Sequence, residues 1–211
     1  MILPILLREA AAFHQSELDR TGFPVLDGIG KGSTSIQTSI HRYEKFFVAV
    51  GRGNQPRIYL LDSDRKGDEK NVLKGTCSPT TGRTVEVAFL PLLEIENYLL
   101  VSEAICKAVR EELALAGKTP QVEESEIEQS LTNLLDGEDG KVFPQGKKVG
   151  LPADAQAKGS IVLERLYSDF GIQYNKRRSG ALIARFISSS NQPHLAKLSE
   201  VVRNAFHGGE S

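Results

Sequence analysis

Arg57-Ile58-Tyr59-Leu60-Leu61-Asp62-Ser63-Asp64 is a β-prone apolar run that stops on two acids one residue apart. Branched and aromatic residues favour the extended chain and the polar Asp-Ser-Asp ends it, so the run predicts a short buried strand. Upstream, Ile36, Ile40, Tyr43, Phe46, Phe47 and Val50 recur at helical steps and predict one face of a helix. The glycine-rich link at residues 51–56 separates that helix from the strand. Downstream, a polar stretch leads to Thr84-Val85-Glu86-Val87-Ala88-Phe89-Leu90, whose alternation predicts a second strand. A helix is expected over residues 94–116.

Toward the N-terminus, Ile5, Leu6, Ala10, Phe13 and Leu18 predict a helix over residues 4–20, with Pro4 in its first turn and Gly22 as its stop. Phe23-Pro24-Val25-Leu26 reads as a short buried strand running into the glycine-rich loop Asp27-Gly28-Ile29-Gly30-Lys31-Gly32-Ser33. Helix, strand, helix, strand, strand, helix is the order of an α/β domain around a small, mostly parallel sheet. Right-handed crossovers in such a sheet bring the strand ends to one edge. The remainder reads as helical: an acidic helix at 121–136, a turn at 137–140, an irregular basic stretch at 143–152, then helices at 156–169, 179–188 and 193–206. The expected organisation is an α/β domain over residues 1–117 and a helical subdomain over 118–211.

Apolar residues make up 40% and charged residues 25%, which excludes a disordered chain. With 26 basic and 27 acidic residues the net charge is −1, so attraction for nucleic acid has to come from a local basic patch. Cys77 and Cys106 make neither a disulfide framework nor a zinc-ligand spacing, and a reducing compartment is expected. Met1-Ile2-Leu3-Pro4-Ile5-Leu6-Leu7 is apolar but short, lacks a basic leader and is cut by Arg8-Glu9. Neither a signal peptide nor a membrane span is expected there, and the location expected is cytoplasmic.

A strand that ends on Asp62 and Asp64 presents two carboxylates near a sheet edge. Two close carboxylates repel each other unless a cation or protons intervene, and hard divalent cations want oxygen ligands. The plainer reading, a polar turn that contains two Asp residues, weighs about the same on this motif alone. Glu94 and Glu96 open the next helix, where acids are welcome near the positive end of the dipole. Helix capping is the better account of Glu94. Glu96 and Asn97, set between apolar Ile95 and Tyr98, are less easily explained that way. The glycine loop is no Walker loop, because Gly32 follows Lys31, and a tight turn is its plainer reading beside a phosphate contact by Lys31. Lys176-Arg177-Arg178 and Lys147-Lys148 read either as solvated surface or as contacts to a DNA backbone.

Taken in order, LLDSD at residues 60–64 and LEIENYLL at residues 93–100 resemble the TOPRIM domains of OLD-family ATP-dependent endonucleases. DGIGKGS at 27–33 sits where that family has a Gly-Gly-Lys-like turn. FGIQYNKRRSGALIARFI at 170–187, with Tyr174 and Lys176, and PHLAKLSEVV at 193–202 are similar to its terminal helical part. The resemblance implies a TOPRIM-like Rossmannoid sheet with a C-terminal helical subdomain. It also implies Mg²⁺- or Mn²⁺-dependent cleavage of DNA, and a part in phage defence.

By position, Asp62, Asp64 and Glu96 resemble the family's metal ligands, with Ser63 assisting. Lys176 resembles a basic residue that stabilises charge developing on phosphate. Lys31, Arg177 and Arg178 are the expected nucleic-acid contacts. The family opens this domain with a strand ending in Glu-Gly, and this chain starts just past that point, so one metal ligand is expected to be missing. An ATPase domain precedes the family's nuclease domain, and a homodimer is compatible with the reading. Two rivals remain: a catalytically impaired module that binds metal, DNA or another chain, and an α/β enzyme whose glycine loop takes a small phosphorylated ligand.

Overall fold

The computed structural model describes residues 2–9, 33–55, 57–63, 67–188 and 190–207. Its elements begin with α1 (Ile2–Glu9), α2 (Ser33–Ala49), β1 (Ile58–Leu61), α3 (Gly67–Lys74) and β2 (Glu86–Phe89). A 3₁₀ turn (Ile95–Leu99) follows, then α4 (Ser102–Leu115), α5 (Glu124–Asp136) and α6 (Ala153–Gln156). The chain ends with α7 (Gly159–Asp169), α8 (Ser179–Arg185) and α9 (Leu195–His207). Two compact units result. One joins Met1–Phe23 to Pro91–Ser199 and is helical; the other joins Pro24–Leu90 to Glu200–Ser211 and contains the sheet.

In the sheet unit β1 and β2 pair in parallel, in register from Ile58 opposite Glu86 to Leu61 opposite Phe89. Side chains alternate across a strand, so Tyr59 and Leu61 turn to the same face as Val85, Val87 and Phe89. There they meet Ile36, Ile40 and Tyr43 of α2 and Leu73 of α3 in one core. The expected parallel α/β arrangement is present, and among the described residues its sheet has two strands. The strand expected at 23–26 and the glycine loop with Lys31 lie outside the described residues, as does Asp64.

Two details depart from the sequence pattern. Where the sequence shows only a polar stretch the structure has helix α3: Leu73 is buried but Val72 is half exposed, so there is no apolar periodicity to see. On α2, Phe46 is 57% exposed and Glu44 takes the buried position. The reason is a polar network. Arg57 Nε and Nη2 donate to Glu44 Oε1 and Oε2 at 2.7 and 3.1 Å, and Tyr59 Oη donates to Oε1 at 2.7 Å. Arg57 also donates to the carbonyls of Arg52, Gly53 and Gln55, fastening the loop between α2 and β1. Burial alone would raise the Glu44 pKa, but the hydrogen bonds from Arg57 and Tyr59 and the guanidinium charge outweigh it and hold it below its ordinary value.

In the helical unit the buried residues of α4 include Ile105, Ala108, Val109, Glu112 and Leu113, a helix face with one acid on it. Every residue from Ser179 to Ala184 of α8 is buried, against α4, α1 and the 3₁₀ turn. Small Gly180, Ala181 and Ala184 suit so enclosed a helix, and Ile2 of α1 fills the space where a Gly180 side chain would stand. The helix expected over 94–116 is broken after Leu99. Gln192 Nε2 donates to the Tyr98 carbonyl at 3.0 Å, and Val101 is extended before α4 begins. Among the described residues, no helix is long and apolar enough to cross a membrane.

Candidate functional site

Asp62 follows the last residue of β1 and its side chain is exposed at the carboxyl end of the strand. The next residue, Ser63, accepts a hydrogen bond from Lys70 Nζ at 2.7 Å. That ammonium also lies 5.3 Å from the centre of the Phe89 ring at the end of β2, a cation–π distance. The carboxyl ends of both strands therefore carry an acid, a hydroxyl and a fixed cation. Lys70 escaped the sequence reading because it comes from α3, the helix without a visible period.

Glu94, Glu96 and Asn97 belong to the helical unit, and three different tasks divide them. Glu94 Oε2 accepts from the backbone N–H and the hydroxyl of Ser160 at 3.0 and 2.8 Å. It therefore caps the first turn of α7, and together with Asn97 it also forms the capping box of the 3₁₀ turn that follows it in sequence. Asn97 is fully buried: Oδ1 accepts from Glu94 N at 2.8 Å, and Nδ2 donates to the carbonyls of Asp154 and Ala157 at 2.5 and 2.8 Å. It is a structural staple.

Glu96 is different. It is 2% exposed, and Oε1 lies 2.7 Å from Lys176 Nζ. Its Oε2 is buried with no hydrogen-bond partner. A buried carboxylate oxygen left unsatisfied is costly. The structure thus brings together Glu96 and Lys176, two residues singled out from sequence.

The segment that delivers Lys176 is a tight turn built on Asn175. Asn175 Oδ1 accepts from the backbone N–H groups of Arg177 and Arg178, both at 3.0 Å. Its own N–H donates to Ser179 Oγ, and its carbonyl accepts from Ser179 N. Lys176 and Arg178 are held two residues apart by this turn. Arg178 Nη2 sits 3.1 Å from Oε2 of Glu112, a second buried acid whose Oε1 also has no hydrogen-bond partner. Arg177 is exposed.

Tyr167 and Tyr174 pack edge to face with ring centres 5.4 Å apart. Neither hydroxyl has a hydrogen-bond partner. Burial first, and then the Glu96 charge, push the Tyr174 pKa well above its ordinary value; burial and Glu112 do the same to Tyr167. Sequence reasoning missed Glu112; the available signal was its helical spacing from buried Ile105, Ala108 and Val109.

The chain matches no family model, no curated protein and no solved structure. Among the described residues no three His, Cys, Asp or Glu side chains gather closely enough to hold a metal ion. Asp62 and Ser63 carry hard oxygens, the donor type that Mg²⁺ and Mn²⁺ take.

Proposed function

We propose that this chain is a metal-dependent DNA endonuclease domain of the TOPRIM type, similar to the nuclease region of OLD-family enzymes. The observation that carries the reading is Asp62 at the carboxyl end of a parallel β1–α3–β2 unit, beside the Ser63 hydroxyl and the Lys70 ammonium. Acids at that edge of a parallel sheet are where ligands of α/β proteins bind. Asp62 and Ser63 supply oxygen donors there. Asp64 is the acid expected next to them, and Glu96 the further acid the reading calls on.

A bound Mg²⁺ or Mn²⁺ would activate water and stabilise the leaving oxygen of a phosphodiester. Lys70 orients the Ser63 hydroxyl and adds positive charge where a phosphate oxygen would approach. Lys176 is the corresponding cation on the side of Glu96. DNA is the proposed partner.

Plasmid nicking with Mg²⁺ or Mn²⁺ tests this. Metal-dependent nicking by the chain, lost in Asp62→Ala and in Glu96→Gln, is the expected result. Absence of nicking under both metals, or nicking that survives Asp62→Ala, rejects it. One observation favours a second reading. Glu96 already has a cation partner in Lys176, as it would in a module that binds without cleaving. Metal or DNA binding without nicking would select that module.

A further inference from the structure

The contact of Arg178 with Glu112 has a form that neutralising a buried acid does not explain. Arg178 Nη2 lies 3.1 Å from Glu112 Oε2, and Glu112 Oε1 stays buried with no hydrogen-bond partner. A guanidinium that serves only to neutralise a carboxylate gains most by meeting it side-on, two N–H groups on two oxygens. Here the contact is end-on. It satisfies half of the acid and leaves Nε and Nη1 of Arg178 for another acceptor. The Glu112 side chain is 3% exposed and that of Arg178 is 69% exposed, so the acid is embedded while the guanidinium meets solvent.

Arg178 is nonetheless held at both ends. Its backbone N–H donates to Asn175 Oδ1 and its carbonyl accepts from Leu182 N, both at 3.0 Å. Ser179, which follows, is fully buried, and its Oγ accepts from Asn175 N at 3.1 Å. At the far end, Glu112 lies on the buried face of α4, which packs on α8. An exposed arginine ordinarily gives up rotamer freedom when it binds a ligand, and here the fold has already removed much of it.

We infer that Arg178 takes a backbone phosphate of DNA, and that buried Glu112 is the positioning residue that aims its guanidinium at it. The inference rests on the proposed function for its ligand, DNA, and adds a contact and the acid that orients it. A planar guanidinium matches the oxygens of a phosphate in a way that the point charge of an ammonium does not. Glu112 cancels part of the attraction that Arg178 exerts at long range and fixes the direction in which it acts at short range.

The test is binding of duplex DNA to the full chain in EDTA, read by fluorescence anisotropy between roughly 50 and 200 mM salt. Glu112→Gln makes the chain more positive, so attraction by charge alone predicts tighter binding. Positioning predicts the opposite, a loss of about threefold. Glu112→Gln combined with Arg178→Gln removes one charge of each sign and leaves the net charge as it was. That double variant should bind about tenfold more weakly, with a slope of log affinity against log salt shallower by about one. Arg178→Lys, which keeps the charge and can still neutralise Glu112, should weaken binding and leave the slope alone.

Equal or tighter binding in Glu112→Gln overturns the inference, as does parental affinity or slope in the double variant. Parental affinity in Arg178→Lys, or no duplex binding by the parent chain, overturns it too. A merely structural pair would lower Tm and leave the salt slope of the folded protein unchanged. Failure of the nuclease reading is separate: it is seen as absent nicking under Mg²⁺ and Mn²⁺, whatever these variants do to binding. Circular dichroism of each variant confirms that a lost signal is not lost fold.

Discussion

Asn97 and Glu96 are neighbours in sequence, both buried, and physically opposite. Asn97 has its carbonyl oxygen and its amide nitrogen engaged, the latter twice, and nothing is left for a ligand. Glu96 keeps an open oxygen. The two substitutions should therefore separate stability from function. Asn97→Ala strands a buried N–H and two carbonyls, at about 1–3 kcal/mol for each group left unsatisfied, so a loss of at least ~2 kcal/mol in urea unfolding is expected. A loss below ~1 kcal/mol would mean that water replaces the amide and that the staple is not structural. Glu96→Gln keeps the shape of the side chain and is expected to abolish metal-dependent nicking while the chain stays folded. A sequence reading finds both residues by the same sign, a polar group between apolar ones. It cannot divide them, because the carbonyls of Asp154 and Ala157 lie nearly sixty residues away along the chain.

Elements were legible where a single periodicity ran through them. Strands β1 and β2 and helix α2 emerge near their expected places because each has one apolar face against one core. Helix α3 does not, since among its described side chains Leu73 alone is buried, and the sequence predicts one helix from 94 to 116 because hydrophobicity does not record a carbonyl captured by Gln192. The contact of α7 with the 3₁₀ turn depends on Gly159, where an added Cβ would stand 2.6 Å from Asn97 N and 2.8 Å from the Glu96 carbonyl carbon. Both obstacles are backbone, so Gly159→Ala should cost about 1–3 kcal/mol or more. Thermal unfolding checks it, and a Tm unchanged from the parent would show that the two elements can separate freely. In the sheet unit Arg57→Met leaves Glu44 buried without its cation, an expected loss of about 3 kcal/mol. The folded-state pKa of Glu44 lies below its ordinary value of 4.5, so its contribution is complete above that pH and is lost as pH falls through the lowered value. Acid titration of stability should accordingly be steeper below pH ~4.5 in the parent than in Glu44→Gln. Equal slopes would remove Glu44 from the acid transition.

At the scale of the whole molecule, charge constrains how the chain can meet DNA. A net charge of −1 gives no long-range attraction, so binding has to be local, weak and sensitive to salt. The described cations are not equivalent in this respect. Lys176 and Arg178 are each drawn to a buried glutamate, and Lys147 lies over the Phe143 ring, 4.6 Å from its centre. Arg177 stands exposed between the two glutamate-bound cations on the same turn, so its loss should report phosphate contact. Each phosphate neutralised on duplex DNA releases counterions and adds about −0.9 to the slope of log affinity against log salt. Arg177→Gln should weaken binding about evenly across DNA sequences and make that slope shallower by about one, measured by fluorescence anisotropy between roughly 50 and 200 mM salt. A weakened affinity with an unchanged slope would mean that Arg177 acts through the turn, and an unchanged affinity would place the DNA surface elsewhere.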